Sequence, residues 1–173
     1  CQLNIAAPLQ TIAVGVVVER SKSASPWSNF LWRPVSAFTG APATQPWTKL
    51  FDDGERATFF AGVADIELHR TETENYRGNL MSGAPLLWVV LRPREAEMPY
   101  DLMLVTADPA EGEAMTEAGN DLVETLPMPE AIRQAVADFV AEHHVDRMFS
   151  KRQRDRADPE VLGRRVPGDD EQP

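Results

Sequence analysis

Residues 57–81 read Ala57-Thr-Phe-Phe-Ala-Gly-Val-Ala-Asp-Ile-Glu-Leu-His-Arg-Thr-Glu-Thr-Glu-Asn-Tyr-Arg-Gly-Asn-Leu-Met81. The stretch starts with strand periodicity and ends with helix periodicity. Side chains alternate along a strand, so Val63, Asp65, Glu67 and His69 share one face and Ala64, Ile66 and Leu68 the other. Thr71 then opens a helix, with Glu74 three residues on in the capping-box position. Tyr76 and Leu80, four apart, belong to its inner face, and Gly83 and Pro85 end it near Met81. This strand–helix unit gathers Glu67, His69, Glu72, Tyr76 and Asn79, the densest set of chemically useful groups in the chain.

Upstream, Trp47–Phe51 pairs with this strand as a hairpin, because Asp52, Asp53 and Gly54 supply a turn that tolerates positive φ. Gln10–Arg20 holds the run Ile-Ala-Val-Gly-Val-Val-Val, continuously apolar and β-branched, as in a strand covered on both faces. Gly15 within it marks a bulge or a close approach of another part of the chain. Phe30–Phe38 is a further strand, and Pro34 assigns it to an edge or a bulge because proline cannot donate to the ladder.

Downstream, Leu86–Leu91 is a second central strand and Tyr100–Ala107 another. Asp108-Pro109-Ala110-Glu111 carries three helix-start signals in register: a capping Asp, proline at the first helical position and Glu three after the cap. Gly112 weakens that helix and Gly119-Asn120 stops it, before a last strand over Asp121–Leu126. Pro129 opens the strongest helix, with a one-sided stripe of Ile132, Ala135, Val136, Phe139, Val140 and His143. The expected fold is α+β: a mostly antiparallel sheet of about five to seven strands, with the Thr71 and Pro129 helices packed on it. The domain is expected over residues 10–150, after a loose leader (1–9) and before a mobile charged tail (151–173).

The 173-residue chain has a formal net charge of −10. Its last 23 residues hold six basic and six acidic side chains, so residues 1–150 carry the whole excess. Such a domain repels phosphate backbones, which argues against nucleic-acid binding. No apolar run approaches the roughly 18 residues that span a bilayer, and a cytoplasmic location is expected. The single cysteine, Cys1, rules out an intramolecular disulfide and multi-cysteine metal sites. A chain opening on Cys also matches a processed lipoprotein, although removal of a preceding Met explains it more simply.

Asp65, Glu67 and His69 form either a metal half-site or acid/base pair, or the solvent side of an amphipathic strand. The structural reading is the more economical. His143 and His144 sit where a helix C-terminus favours histidine through its dipole. There is no serine elbow and no glycine-rich phosphate loop, and no cofactor or metal is expected. Four tryptophans are many for this length. Trp88 belongs to a buried strand. Trp27 and Trp47 follow prolines in loops, where an indole either anchors a partner or caps the sheet. Trp32-Arg33-Pro34 places a guanidinium beside an indole at an edge, where Arg33 would pair with Glu67 or Glu72 or stay exposed.

Several segments in order, Val14–Arg20, Ser25-Pro26-Trp27, Trp32-Arg33-Pro34, Ile66–Thr73 with Tyr76 and Asn79, Val123–Pro129 and Phe139–His144, carry a resemblance. Together they make the chain similar, over about residues 11–152, to a bacterial family known as domain of unknown function 3305. That resemblance brings no catalytic residues. Its members are often encoded beside molybdenum- or tungsten-dependent formate dehydrogenases and their assembly factors, which implies an accessory or maturation role. The expected function is therefore a non-catalytic protein-binding or assembly module. Its contact residues would be Trp27, Trp32, Arg33 and Trp47, and its partner a formate dehydrogenase subunit or assembly factor. The alternative is a small enzyme or ligand-binding protein using the Glu67, His69, Glu72, Tyr76 and Asn79 corner.

Overall fold

The computed structural model describes residues 7–23 and 30–144. Trp27, most of the expected leader and the whole expected tail lie outside the described residues. The fold is α+β. Seven strands are described: β1 (Gln10–Lys22), β2 (Phe30–Thr39), β3 (Thr48–Asp52), β4 (Arg56–Leu68), β5 (Leu86–Pro93), β6 (Tyr100–Thr106) and β7 (Leu122–Pro127). The helices are α1 (Thr73–Leu80), α2 (Pro109–Glu117) and α3 (residues 130–144). Every pairing is antiparallel.

The strands divide between two sheets, ordered β2-β1-β4-β3 and β6-β5-β7. The division falls where α1 separates β4 from β5, so β5 starts a new ladder. The apolar runs of β1 and β5 each hold a position with a partner on both sides, as strands buried on both faces should. β2 is an edge strand, and Pro34 sits opposite Val18 where the register slips, an edge and bulge placement that suits a residue without an N–H. The expected β3–β4 hairpin is present. Asp53 accepts from the N–H groups of Glu55 (2.9 Å) and Arg56 (2.8 Å), and Gly54 takes φ +90°.

Alternation along the first sheet gives it two unlike faces. Val14, Val16 and Val18 of β1 and Ala57, Phe59, Ile66 and Leu68 of β4 point inward and are almost fully buried. Val14, Val16, Val18, Ile66 and Leu68 join Leu87, Val89 and Leu91 of β5 and the α3 stripe of Ile132, Val136, Phe139 and Val140 in one core. Burying each such side chain contributes about 1.5–3 kcal/mol before chain entropy is counted. The opposite face of the second sheet is covered by α2. There Gly112 lies so close to Trp88 that an added Cβ would sit 2.2 Å from the indole Cγ. Gly112 is thus a packing requirement as well as a helix weakener, and Trp88 is half-buried beneath it.

The start of α1 differs from expectation. The chain first makes a 3-10 turn over Arg70–Glu72, and the α-helix begins at Thr73 with no side-chain cap bond. Thr71 Oγ1 donates to Glu72 (3.0 Å), so its hydroxyl is spent on a neighbour and caps nothing. Glu72 N–H donates to His69 C=O, which closes the tighter turn. At α2 the expected cap forms, with the Asp108 carboxylate accepting from Ala110 and Glu111 N–H. Glu111, however, accepts from Thr106 Oγ1 (2.6 Å) instead of closing a box onto Asp108, whose N–H donates to that same hydroxyl. Among the described residues no helix is long and apolar enough to cross a membrane.

Candidate functional site

The corner where β4 runs into α1 brings Glu67, His69, Glu72 and Tyr76 together. His69 Nε2 lies 3.4 Å from Glu67 Oε1 on the outward face of β4. The Tyr76 ring is buried and meets Phe139 edge-on, with centroids 6.1 Å apart. Its hydroxyl accepts from His69 N–H (2.9 Å) and donates to Glu67 C=O (3.3 Å), tying the end of β4 to the helix. Burial pushes the Tyr76 phenol up to about 12 against the opposing pull of the His69 N–H, so it stays protonated at neutral pH. A neutral, backbone-bonded phenol is a brace, not a general base.

Beside it opens a cleft of about 590 Å³ whose lining includes His69, Glu72, Tyr76, Asp108 and Glu111. Its carboxylates are already engaged. Glu72 accepts from Asn75 and Thr71, Asp108 caps α2, and Glu111 takes the Thr106 hydroxyl. Asp108 and Glu111 come from a distant segment, and only the α1–α2 contact reveals their place here.

Asn79 is not part of this corner, contrary to the sequence expectation. It is 6% exposed and bonds backbone on its far side. Its Nδ2 donates to Leu86 C=O (2.8 Å) and Ala107 C=O (3.0 Å), and its Oδ1 accepts from Leu86 N–H (3.0 Å). An amide facing two carbonyls and one N–H is fully used in structure.

His143 packs on Phe139 at 4.5 Å, and His144 Nδ1 lies 3.3 Å from Thr73 Oγ1, so both serve the α3 packing. Among the described residues no three of His, Cys, Asp and Glu converge as metal ligands.

The tryptophan edge is placed differently from the corner. Trp32 and Trp47 are half-buried and lean against the core. They meet each other edge-on at 6.4 Å, and both contact Phe59. Trp32 also meets Tyr100 at 6.1 Å. Trp47 holds φ +67°, a left-handed conformation unusual for a bulky residue, and its N–H donates to Phe60 C=O. The guanidinium over this cluster belongs to Arg20, 4.6 Å from the Phe30 ring, 5.2 Å from Phe59 and 5.9 Å from Trp32. Arg33 lies on the other face and pairs with Glu19 at 3.5 Å, not with Glu67 or Glu72. The reason is phase: Arg20 and Trp32 are cross-strand partners on the inner face, and Glu19 and Arg33 are partners on the outer. Period-two counting from Val18 would have found Arg20.

That outer face of the first sheet carries a surface the sequence reading missed. Phe38 lies across Gly15, where an added Cβ would sit 2.4 Å from the ring, and stacks on Phe60 (6.2 Å, 28°). On the same face Val63 (39% exposed) stands opposite Gly15 beside the pair, Phe51 (54%) lies opposite Thr58 one row beyond the buried Phe60, and Leu31 (55%) stands at the far end opposite Ser21.

Fold and surface together define an α+β two-sheet domain whose first sheet carries exposed apolar and charged side chains on its outer face, and whose polar corner is bonded internally. The chain belongs to the family described as protein of unknown function (DUF3305), whose family model matches residues 13–153. No curated protein matches it, and no solved structure does.

Proposed function

We propose that this protein is a non-catalytic binding or assembly module that docks on another protein through the outer face of the β2-β1-β4-β3 sheet. The observation that carries the reading is the exposure of Val63 and Phe51 beside the Phe38–Phe60 pair and of Leu31 farther along the same face. Apolar groups in such an arrangement gain by being covered. Trp32 and Trp47 support this face from beneath, and Arg33 stands on it. The family resemblance suggests the partner, a formate dehydrogenase subunit or its assembly factor, and with it a cytoplasmic setting. The competing reading is a small-ligand or catalytic role for the cleft at His69, Glu72 and Tyr76. It is weaker because these groups already bond to their own chain.

The test is affinity purification of the tagged protein from its native host, with co-purifying proteins identified by mass spectrometry. Recovery of a formate dehydrogenase subunit or assembly factor, lost on Leu31→Asp/Phe51→Asp and kept by His69→Ala, is the expected result. Recovery lost on His69→Ala and kept by the double variant would overturn the assignment of the surface.

A further inference from the structure

We propose that a basic segment of this same chain, residues 151–156, docks back into the groove between α1 and α2. The groove consists of two clefts, of about 590 and 460 Å³, which share Asn75 and Ala110 in their lining. Glu72, Asp108 and Glu111 line the first and Glu113 the second, and no Lys or Arg lines either. Among the described residues none of these four carboxylates is paired with a cation. Their hydrogen bonds come from neutral donors: Asn75 and Thr71 to Glu72, Thr106 to Glu111, and backbone N–H groups to Asp108. Such bonds occupy lone pairs and leave the charge in place. Exposed Arg70 and Arg77 belong to the same stretch of chain and stand outside both linings, while His69, in the first, lies 3.4 Å from Glu67.

Asp108 gives a second, independent sign of a missing donor. It is 7% exposed, and both of its cap bonds fall on Oδ1. Among the described residues its Oδ2 has no partner, and a charged oxygen left unbonded away from water is costly. Burial pushes the Tyr76 phenol upward most, and the charges of Asp108, Glu72 and Glu111 add to the push, as they must where negative charges converge without a counter-ion.

The path of the chain selects the occupant. The described part of α3 ends with His144 Nδ1 3.3 Å from the Oγ1 of Thr73, the first residue of α1 and the neighbour of Glu72. Residues 147–156 read Arg-Met-Phe-Ser-Lys-Arg-Gln-Arg-Asp-Arg, with five basic side chains and one acidic. The seven steps from His144 to Lys151 span up to about 25 Å, roughly twice the length of an eight-residue helix such as α1. Lys151 therefore reaches the whole first cleft. The family match runs to residue 153, which places Lys151 and Arg152 within the family's domain. A tethered segment meets the groove at an effective concentration of about 1 mM, an advantage that a free basic peptide lacks.

Carbodiimide cross-linking of the full chain, read by peptide mass spectrometry, tests the placement. Lys151 is one of three lysines, and the reagent joins its Nζ to a touching carboxylate as an amide. The expected products link Lys151 to Glu72, Glu111 or Glu113 within one molecule and fade at high salt. Links from Lys151 spread equally over Glu130, Asp138 and Glu142, or links formed mainly between isotope-labelled and unlabelled chains, would overturn the proposal. A binding measurement gives the magnitude. A fluorescein-labelled peptide of residues 147–156 is titrated with the unaltered chain and with Lys151→Glu/Arg152→Glu/Arg154→Glu, changes that fall outside the described residues. With a groove Kd of about 0.1 mM, the tethered segment weakens a competing peptide about tenfold. The charge-reversed chain is therefore expected to bind the peptide about tenfold tighter than the unaltered chain. Adding Glu111→Gln/Glu113→Gln, which removes two charges and keeps an acceptor for Thr106, is expected to abolish that gain. Equal affinity for the unaltered and charge-reversed chains, or a gain that survives Glu111→Gln/Glu113→Gln, would each overturn the proposal.

Discussion

Replacing Asn79 with alanine separates a structural amide from a ligand-binding one. The change removes three hydrogen bonds at once, to Leu86 C=O, Leu86 N–H and Ala107 C=O. A buried polar group left without a partner costs about 1–3 kcal/mol. The two Leu86 groups are half-buried and regain some water, so they belong at the low end, while Ala107 is 1% exposed and its carbonyl bears more of the penalty. The expected loss is about 3 kcal/mol, within a range of roughly 2–5. Against a typical total of about 5–15 kcal/mol that is a large share, and it corresponds to a fall in Tm of about 6–12 °C. Urea unfolding followed by circular dichroism and tryptophan fluorescence measures it, with an unchanged m-value showing that the folded and unfolded states keep their exposure. Asn79→Asp should be worse at neutral pH, because it sets a carboxylate against two carbonyl oxygens. A loss below about 1 kcal/mol for Asn79→Ala would refute the reasoning, since it would mean that water or a shift of α1 satisfies all three groups.

The remaining predictions concern packing, pH and capping. Gly112→Ala should destabilise by about 1 kcal/mol despite the helix preference for alanine, because overpacking against Trp88 outweighs the propensity gain; a stabilised variant with unchanged tryptophan emission would contradict it. Tyr76 has a folded pKa of about 12, raised by burial above the ordinary value near 10. The raised value means that its contribution to stability is complete below about pH 10 and is lost as pH climbs from about 10 through about 12. Urea midpoints across that window should therefore fall more steeply for the unaltered protein than for Tyr76→Phe, and parallel curves would remove the argument. Asp108→Ala should cost about 1 kcal/mol through loss of the α2 cap, with Asn at the same position restoring most of it in the same assay.

Much of the fold was legible because it rests on local signals. The apolar runs of β1 and β5, the Asp-Asp-Gly hairpin, the Asp108-Pro109 helix start and the α3 stripe each follow from a few adjacent residues. The division into two sheets was not legible, since nothing local says that β4 and β5 will not share a ladder. At the corner, the pairing of Glu67 with His69 follows from strand alternation, whereas the arrival of Asp108 and Glu111 needs the α1–α2 contact. Asn79 shows the limit most clearly. An amide among polar helix residues reads as a surface group, and only the positions of Leu86 and Ala107 turn it inward. The outer face escaped notice for a related reason: the β1 run reads as covered on both faces, and only strand pairing brings Val17, Phe38 and Phe60 together on the side away from the core.

The register irregularities share one habit. The extra residue is Val35 on β2, Ala61 on β4, Leu50 on β3 and Met103 on β6, and in none of these pairings does it fall on β1 or β5. Those two strands have no slack. Deleting Val35 or Ala61 would straighten a ladder while every neighbour kept its side. Deleting Val17 would transpose the remainder of β1, sending Glu19 and Ser21 toward the core and Val18 and Arg20 away from it. Length changes in this lineage should therefore be borne by the hairpin tips and by the strands that already carry a spare residue, with β1 and β5 held at constant count.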